Sequence, residues 1–230
     1  MDLSSSLHCL IERIKKAETQ YNRPPGSVLL LAVSKQQPIE LIQQAAELGL
    51  TEFGENYYQE ALTKIQQLKH LSQLNWHFIG PIQSNKVKGI AQHFNWVHGI
   101  SRYSIAKQLN EYRGSQMVSL NVCLQINLES EASKSGISCD DAKLLASQVS
   151  LLPHLKLRGL MTIPPRENDF TIQYQRFQKL YNLLHTLNHE LGLKMDTLSM
   201  GMSDDLEPAI KAGSNLIRIG TALFGERKQS

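Results

Sequence analysis

The sequence lacks most of the features that mark specialised classes of protein. Its three cysteines are far apart, odd in number and without a CxxC pair, which argues against a disulfide framework or zinc cluster and favours a reducing compartment. His185 and His189 are four apart on one predicted helix but lack a third ligand, so no metal site is expected. The formal net charge is only +3 and no basic stripe is present, so nucleic acid is not an expected partner. No apolar run approaches the roughly 18 residues of a membrane span, and residues 1–10 do not resemble a signal peptide, so we expect a cytoplasmic protein.

What the sequence does contain is material for one continuous core. Hydrophobic residues make up 41% of the 230 residues and charged residues 20%, which is ordinary for a globular protein. Apolar residues at helical spacing predict a first helix over 6–21. Six consecutive apolar residues, 28–33, then indicate a strand buried on both faces, as in a parallel sheet. An amphipathic helix over 38–48, closed by Gly49, follows.

Strand and helix alternate along the remainder of the chain. Further strands are predicted over 52–54, 76–79, 96–99, 118–127, 155–163, 197–200 and 216–219, with helices over 55–71, 85–93, 103–112, 140–151, 170–191 and 204–212. Such alternation forms parallel β-α-β units, and eight of them match a closed barrel better than an open sheet. We therefore predict an α/β fold, a single (β/α)8 TIM-type barrel over residues 1–230. The N-terminal helix would cover the flank where an eighth trailing helix normally lies.

Lys35 is the first candidate for chemistry, because sites of such barrels lie at the carboxyl ends of the strands. A lysine at the end of a buried apolar strand is partly desolvated, which favours the free amine that forms imines with aldehydes. The alternative is a strand-end lysine whose stem is buried and whose ammonium reaches solvent. Position alone favours this second interpretation. The residues at the neighbouring strand ends must therefore decide between the two.

The ends of strands seven and eight carry residues typical of a phosphate site. Gly220 and Thr221 follow strand eight, where barrels commonly bind phosphate. Glycine lets backbone N–H groups approach the phosphate and threonine adds a hydroxyl donor, although a Gly-Thr pair also occurs in plain turns. Ser199 and Gly201 on the adjacent strand strengthen the prediction. Ser203 is assigned to the cap of the next helix, because the two aspartates after it would repel a phosphate.

Arg218 is predicted to point into the barrel, because it lies two residues before Gly220 on the same face of the strand. An inward arginine is costly to bury without a partner. Two partners remain open, an interior acid and the ring nitrogen of a ligand.

Segments at the strand ends resemble one known family over nearly the whole chain. They are Leu31-Ala32-Val33-Ser34-Lys35, Phe53-Gly54-Glu55-Asn56-Tyr57, Trp76-His77-Phe78-Ile79-Gly80, Gln83-Ser84-Asn85-Lys86, Leu198-Ser199-Met200-Gly201-Met202-Ser203-Asp204-Asp205 and Arg218-Ile219-Gly220-Thr221. Together these segments are similar to the YggS/PROSC family of pyridoxal 5′-phosphate (PLP) homeostasis proteins.

The resemblance implies a fold like the barrel domain of alanine racemase, with PLP as cofactor and Lys35 as the lysine that holds it as a Schiff base. It also implies which other residues surround the cofactor: Asn56, Ser199, Met200, Gly201, Arg218, Gly220 and Thr221. Arg218 would face the pyridine nitrogen and, because an arginine keeps its proton, would weaken the ring as an electron sink. Racemases of related fold also use an added β domain, whereas this chain ends at Ser230, soon after the last strand.

The resemblance therefore implies a noncatalytic PLP carrier that acts in vitamin B6 homeostasis and amino-acid and keto-acid balance and serves PLP-dependent enzymes. No catalytic residue is assigned. The alternative is a low-activity PLP-dependent amino-acid racemase in which Lys35 itself exchanges the proton. A third possibility is a barrel that binds another phosphorylated ligand or a regulatory protein without PLP. No long apolar helix face is left over, so we expect a monomer.

Overall fold

The first and last strands pair with each other, and this pairing closes the sheet into a barrel. The structure is a computed structural model and describes residues 2–129 and 135–225. Eight parallel strands follow one another around the barrel in chain order: β1 (Leu29–Val33), β2 (Glu52–Glu55), β3 (Asn75–Phe78), β4 (Trp96–Ile100), β5 (Leu120–Gln125), β6 (Leu155–Met161), β7 (Thr197–Ser199) and β8 (Leu216–Ile219). Ala32 of β1 lies opposite Phe53 of β2 and Ile219 of β8. The predicted (β/α)8 barrel is confirmed.

The helices lie between successive strands, with one before the barrel and one after it. They are α1 (Leu3–Gln20), α2 (Ile39–Glu47), α3 (Tyr58–Gln67), α4 (Val87–His93), α5 (Tyr103–Arg113), α6 (Cys139–Ser150), α7 (Phe170–Leu191), α8 (Leu206–Lys211) and α9 (Thr221–Phe224). A 3-10 turn, Ser84–Lys86, leads into α4. Within the described ranges, none of these helices is long and apolar enough to cross a membrane.

Helix α1 covers the flank between α8 and α2, as the sequence predicts. Leu7, Leu10 and Ile14 form its buried face. Across the contact with α8, the Arg13 guanidinium donates to both carboxylate oxygens of Glu207 at 2.9–3.0 Å. The pair is partly exposed, so the buried apolar face of α1 contributes most to its docking.

Side chains of each strand point alternately toward the helices and into the barrel. In β1, Leu30 and Ala32 belong to the apolar layer between sheet and helices, whereas Leu31 is buried on the opposite face. The same alternation turns Ser199 of β7 and Arg218 of β8 inward. The interior is therefore partly polar, and its polar groups lead toward the carboxyl ends of the strands.

Several predicted boundaries differ from those of the structure, and three of the differences have a visible local cause. Strand β5 begins at Leu120 rather than 118. Val118 is 85% exposed, and its carbonyl accepts from Arg113 Nε instead of joining the sheet. Helix α3 begins at Tyr58 rather than 55, because residue 55 still belongs to β2. Helix α8 begins at Leu206, and the residue that closes the preceding turn is not the predicted Ser203 but Asp205, whose carboxylate accepts from the Met202 N–H at 2.6 Å.

Candidate functional site

Four neighbouring strands carry all eight predicted site residues to one mouth of the barrel. In the closed sheet, β7, β8, β1 and β2 are consecutive neighbours. In that order their carboxyl ends carry Ser199, Met200 and Gly201, then Arg218, Gly220 and Thr221, then Lys35, and finally Asn56. Because all the strands are parallel, these ends lie at the same mouth.

Lys35 lies in a turn that the surrounding structure holds in place. The residue is half-buried, between the fully buried Ser34 and the exposed Gln36. Gln36 has a φ of 59°, in the left-handed region that a residue with a side chain adopts only when its neighbours impose it. The Gln37 N–H donates to the Ser34 carbonyl at 3.0 Å, which closes the turn around Lys35.

A buried ammonium, that of Lys64 in α3, fixes both sides of this turn. Its Nζ donates to the Ser34 carbonyl at 2.6 Å, to Glu55 Oε1 at 2.8 Å and to Glu60 Oε1 at 2.6 Å. The same Glu60 oxygen accepts from the Gln36 N–H at 2.5 Å, and the Ser34 hydroxyl donates to Glu55 at 2.6 Å. The three donors of Lys64 are thus all used to hold the chain before and after the candidate lysine.

The sequence contains a signal for this cluster that the sequence analysis missed. Lys64 lies between Ala61 and Leu68 on the buried face of α3, where the helical spacing calls for an apolar residue. A lysine in that position needs an internal partner. Its partner Glu55 is fully buried, and burial raises the pKa of this carboxyl above its ordinary value, although the Lys64 charge opposes the shift.

Arg218 points into the barrel, as predicted, but its partners are neutral oxygens. Its NH1 donates to the Ser199 carbonyl at 2.5 Å and to Ser199 Oγ at 2.9 Å, and its NH2 donates to the Thr162 carbonyl at 2.9 Å. None of the ion pairs among the residues described includes Arg218, so the interior ion pair is not formed there. Burial lowers the pKa of Arg218 to about 10, which leaves it charged at neutral pH. These bonds use at most three of its five N–H groups.

Met200 and Gly201 serve the packing behind the mouth. The Met200 side chain is fully buried in the helix-facing core, and its backbone N–H and carbonyl bond Leu216 and Ser214. Gly201 has a φ of 98°, and a Cβ there would lie 2.7 Å from the Ala209 Cβ in α8. The chain itself therefore requires glycine at position 201.

Gly220 and Asn56 differ from these two residues, because packing and hydrogen bonding within the described chain do not account for their presence. Gly220 has a φ of −112°, and a Cβ there would meet only β1, at 3.4 Å from the Val33 carbonyl, an ordinary contact. No crowding within the described chain demands glycine at this position. Asn56 carries a buried Oδ1 that has no hydrogen-bond partner among the described residues. Buried polar atoms without partners are rare, and this one lies at the mouth, where it can accept a hydrogen bond from a ligand. Thr221, the first residue of α9, is exposed at the same mouth.

Two buried histidines inside the barrel were also missed. His98 Nδ1 lies 2.8 Å from Ser199 Oγ, His98 Nε2 lies 2.9 Å from His77 Nδ1, and His77 Nε2 lies 2.7 Å from Glu52 Oε2. A histidine in the middle of a buried strand is the only signal in the sequence. The contact between β4 and β7 joins residues 101 positions apart, so it follows from barrel closure and not from local pattern.

Comparisons with known proteins agree with this architecture. The family model described as alanine racemase, N-terminal domain, matches residues 6–228. A curated relative from Pseudomonas aeruginosa, named pyridoxal phosphate homeostasis protein, is 54% identical over 215 residues, covering 94% of this chain and 91% of the relative. This chain belongs to the alanine racemase N-terminal-domain family, in the branch whose curated members are named pyridoxal phosphate homeostasis protein.

Solved structures extend the comparison. PipY of Synechococcus elongatus PCC7942, solved with PLP bound, superposes with a TM-score of 0.85 at 32% identity, covering 97% of this chain and all of PipY. Alanine racemase from Corynebacterium glutamicum superposes with a TM-score of 0.69 at 18% identity, covering 97% of this chain and 62% of the racemase. The second match shows a shared barrel fold and no more.

Proposed function

We propose that this chain binds PLP covalently through Lys35 and acts in intracellular PLP homeostasis and amino-acid and keto-acid balance, without robust catalysis of its own. The observation that carries the proposal is the position of Lys35 and Asn56 just beyond the ends of two neighbouring strands. Each lies two residues beyond the paired Val33 and Gly54 at the ends of β1 and β2. A half-buried lysine and a buried amide oxygen without a partner among the described residues therefore lie at adjacent strand ends. The name of the curated relatives and the PLP bound to PipY support the same ligand.

The residues at the mouth fit PLP by their chemistry. PLP supplies an aldehyde that reacts reversibly with amines and a ring that withdraws electrons. Lys35 offers the amine, and Asn56 offers a side-chain amide to a polar ring substituent. Gly220 and Thr221 would hold the phosphate through backbone N–H groups and a hydroxyl, with Gly201 at the adjoining strand end. Ser199, whose Oγ bonds His98 and Arg218, would contribute by holding Arg218. We assign Met200 a supporting position behind the cofactor, since its side chain lies in the core.

Arg218 supplies the reason for proposing a carrier. Its two remaining N–H groups can donate to the ring nitrogen, and its pKa of about 10 keeps the proton on the arginine at neutral pH. The ring then withdraws electrons less strongly than a protonated pyridine would. Retention and release of PLP need only the reversible bond at Lys35.

Borohydride reduction of the PLP-loaded protein, followed by peptide mass mapping, tests the anchor. We expect the label on the peptide that contains Lys35 and its loss in Lys35→Ala. The matched control is Lys86→Ala, because Lys86 is a half-buried lysine near the carboxyl end of β3. Its loss should leave the label in place. A label on any other lysine would overturn the site assignment.

Proton–deuterium exchange at the α carbon of candidate amino acids separates a carrier from a racemase. We expect exchange by the pure PLP-loaded protein to stay near the rate of free PLP. Exchange at enzymatic rates would favour the racemase and overturn the carrier. Lys35→Ala cannot make this distinction, because both functions need that amine.

The proposal extends to where and with whom the protein acts. We propose a cytoplasmic monomer whose partners are PLP and the PLP-dependent enzymes that receive it. Size-exclusion chromatography with light scattering should give the mass of one chain, 26.0 kDa. Transfer of PLP to an apoenzyme faster than from free solution would support delivery, and transfer no faster than simple dissociation would contradict it.

A further inference from the structure

A line of hydrogen bonds crosses the barrel interior and ends at the proposed PLP site. It begins at Glu52, the first residue of β2, and runs through His77 of β3 and His98 of β4 to Ser199, the last residue of β7. Ser199 Oγ then accepts from Arg218. Because β2 begins at one mouth and β7 ends at the other, the line spans the barrel from its amino end to its carboxyl end.

The two ends of this line, together with neutral histidine rings, fix the direction of every bond in it. A carboxylate can only accept and a guanidinium can only donate. His77 Nε2 therefore carries a proton toward Glu52. With His77 neutral, its Nδ1 accepts from His98 Nε2, and His98 Nδ1 in turn accepts the Ser199 hydroxyl proton. Each of the four bonds then has one donor and one acceptor, and all point from Arg218 toward Glu52.

The burial of the histidines favours this neutral arrangement. The only arrangement that reverses the His98 bonds needs a protonated His77, which adds a second buried cation to Arg218 inside the barrel. Burial lowers the pKa of His77 despite the neighbouring Glu52 carboxylate. Burial, His77 and Arg218 together hold the pKa of His98 well below its ordinary value. At neutral pH both rings are therefore neutral with the proton on Nε2.

The arrangement determines how Ser199 meets Arg218. The Ser199 hydroxyl proton is directed to His98, so a lone pair of Oγ is left for Arg218 NH1. Without His98 that hydroxyl can rotate and turn its proton toward the guanidinium. The orientation of the planar Arg218 fork thus depends on a ring that does not touch it.

We propose that His98 is a positioning residue for PLP, acting through Ser199 to hold Arg218, with His77 and Glu52 setting its tautomer. The inference rests on the proposed function, since it concerns how tightly PLP is held. It assigns the interior histidines a role in affinity, and none in contact with PLP.

Nitrogen-15 NMR of the histidine rings tests the line in the free protein, without any variant. We expect His77 and His98 to be neutral Nε2–H tautomers at pH 7. His93 is an internal reference with its proton on the other ring nitrogen, because its Nδ1 lies 2.8 Å from the Gly89 carbonyl and must donate to it. A protonated His77, or an Nδ1–H tautomer at His98, would overturn the inference.

A double-mutant cycle on PLP affinity tests the consequence. We expect His98→Phe to raise the Kd for PLP about tenfold, the value of one lost hydrogen bond. Ser199→Ala should raise it similarly, and the double variant should bind no more weakly than Ser199→Ala alone. His93→Phe, a control at a half-buried histidine of α4, should leave the Kd unchanged. A wild-type Kd in His98→Phe, or additive losses in the double variant, would overturn the inference and leave the proposed function standing. If the wild-type protein does not bind PLP, both fall.

Discussion

Replacing Lys64 by methionine should be among the most destabilising single changes in the chain. The side chain of Lys64 is 4% exposed and that of its partner Glu55 is 0% exposed. Methionine fills a similar volume but leaves a buried carboxylate with only the Ser34 hydroxyl as a donor, since Glu55 Oε2 already lacks a partner among the described residues. Breaking a buried pair in this way costs about 3–5 kcal/mol in the free energy of unfolding.

The loss of unfolding free energy in Lys64→Met should also depend on pH. Burial raises the pKa of Glu55 in the folded state, and loss of Lys64 removes the charge that opposes this shift. A carboxyl whose pKa is raised by folding binds its proton more tightly when folded, so its contribution to stability is lost as pH rises through the folded pKa. Lys64→Met should therefore cost more at pH 7.5 than at pH 4.5, where Glu55 is partly protonated.

Urea unfolding at the two pH values measures both effects. Lys15→Met is the matched control, because Lys15 pairs with Glu12 on the surface, with side chains 63% and 54% exposed. Its loss should cost no more than about 0.5 kcal/mol. Adding Glu55→Gln to Lys64→Met removes the unpaired charge and should restore about 1–2 kcal/mol at pH 7.5. A Lys64→Met penalty below about 1 kcal/mol, or one that is the same at both pH values, would refute the argument.

Three further predictions follow from features of the fold. Asp169→Ala should cost about 1 kcal/mol in urea unfolding, because Asp169 caps α7 by accepting from two N–H groups; an unchanged midpoint would contradict this. Gly159→Ala should destabilise by more than about 3 kcal/mol, because its Cβ would fall inside the Thr197 carbonyl; a near-wild-type melting temperature would show that β6 and β7 can separate freely. Cys123 should resist thiol reagents at pH 8 until the chain unfolds, since it is fully buried and burial raises its pKa to about 12, whereas the exposed Cys9 should react at once. Equal rates for these two cysteines would contradict that burial.

The barrel could be predicted because each of its strands and helices has a recognisable pattern of apolar residues in the local sequence. Residues 28–33 are continuously apolar, and each later strand is followed by a helical pattern, so the order and number of elements could be inferred without long-range information. A predicted boundary was wrong where a side chain bonds a backbone group, as Arg113 Nε does when it donates to the Val118 carbonyl. The deviation at Glu55 has a different cause, since that residue pairs with Phe78 of β3 and so belongs to β2.

The residues of the candidate site also fall into those that local sequence predicts and those that depend on the fold. Lys35, Gly220 and Thr221 stand at strand ends, so the rule that barrel sites lie there is enough to nominate them. Lys64 and His98 act through partners that the fold supplies from other elements, and their patterns alone suggest only unusual core residues. A lysine or histidine in an apolar position shows that a partner exists, but only the closed barrel identifies it.

The docking of α1 has a consequence for synthesis. Its ion pair with Glu207 joins residues 194 positions apart, and its other neighbours include α9. During synthesis this amphipathic helix is made before α8 and α9, which cover part of its surface. The part of its apolar face that packs on α8 and α9 is therefore covered only after those helices have been made, and contacts between such distant segments form slowly. Full docking of α1 thus depends on the segments that also close the barrel.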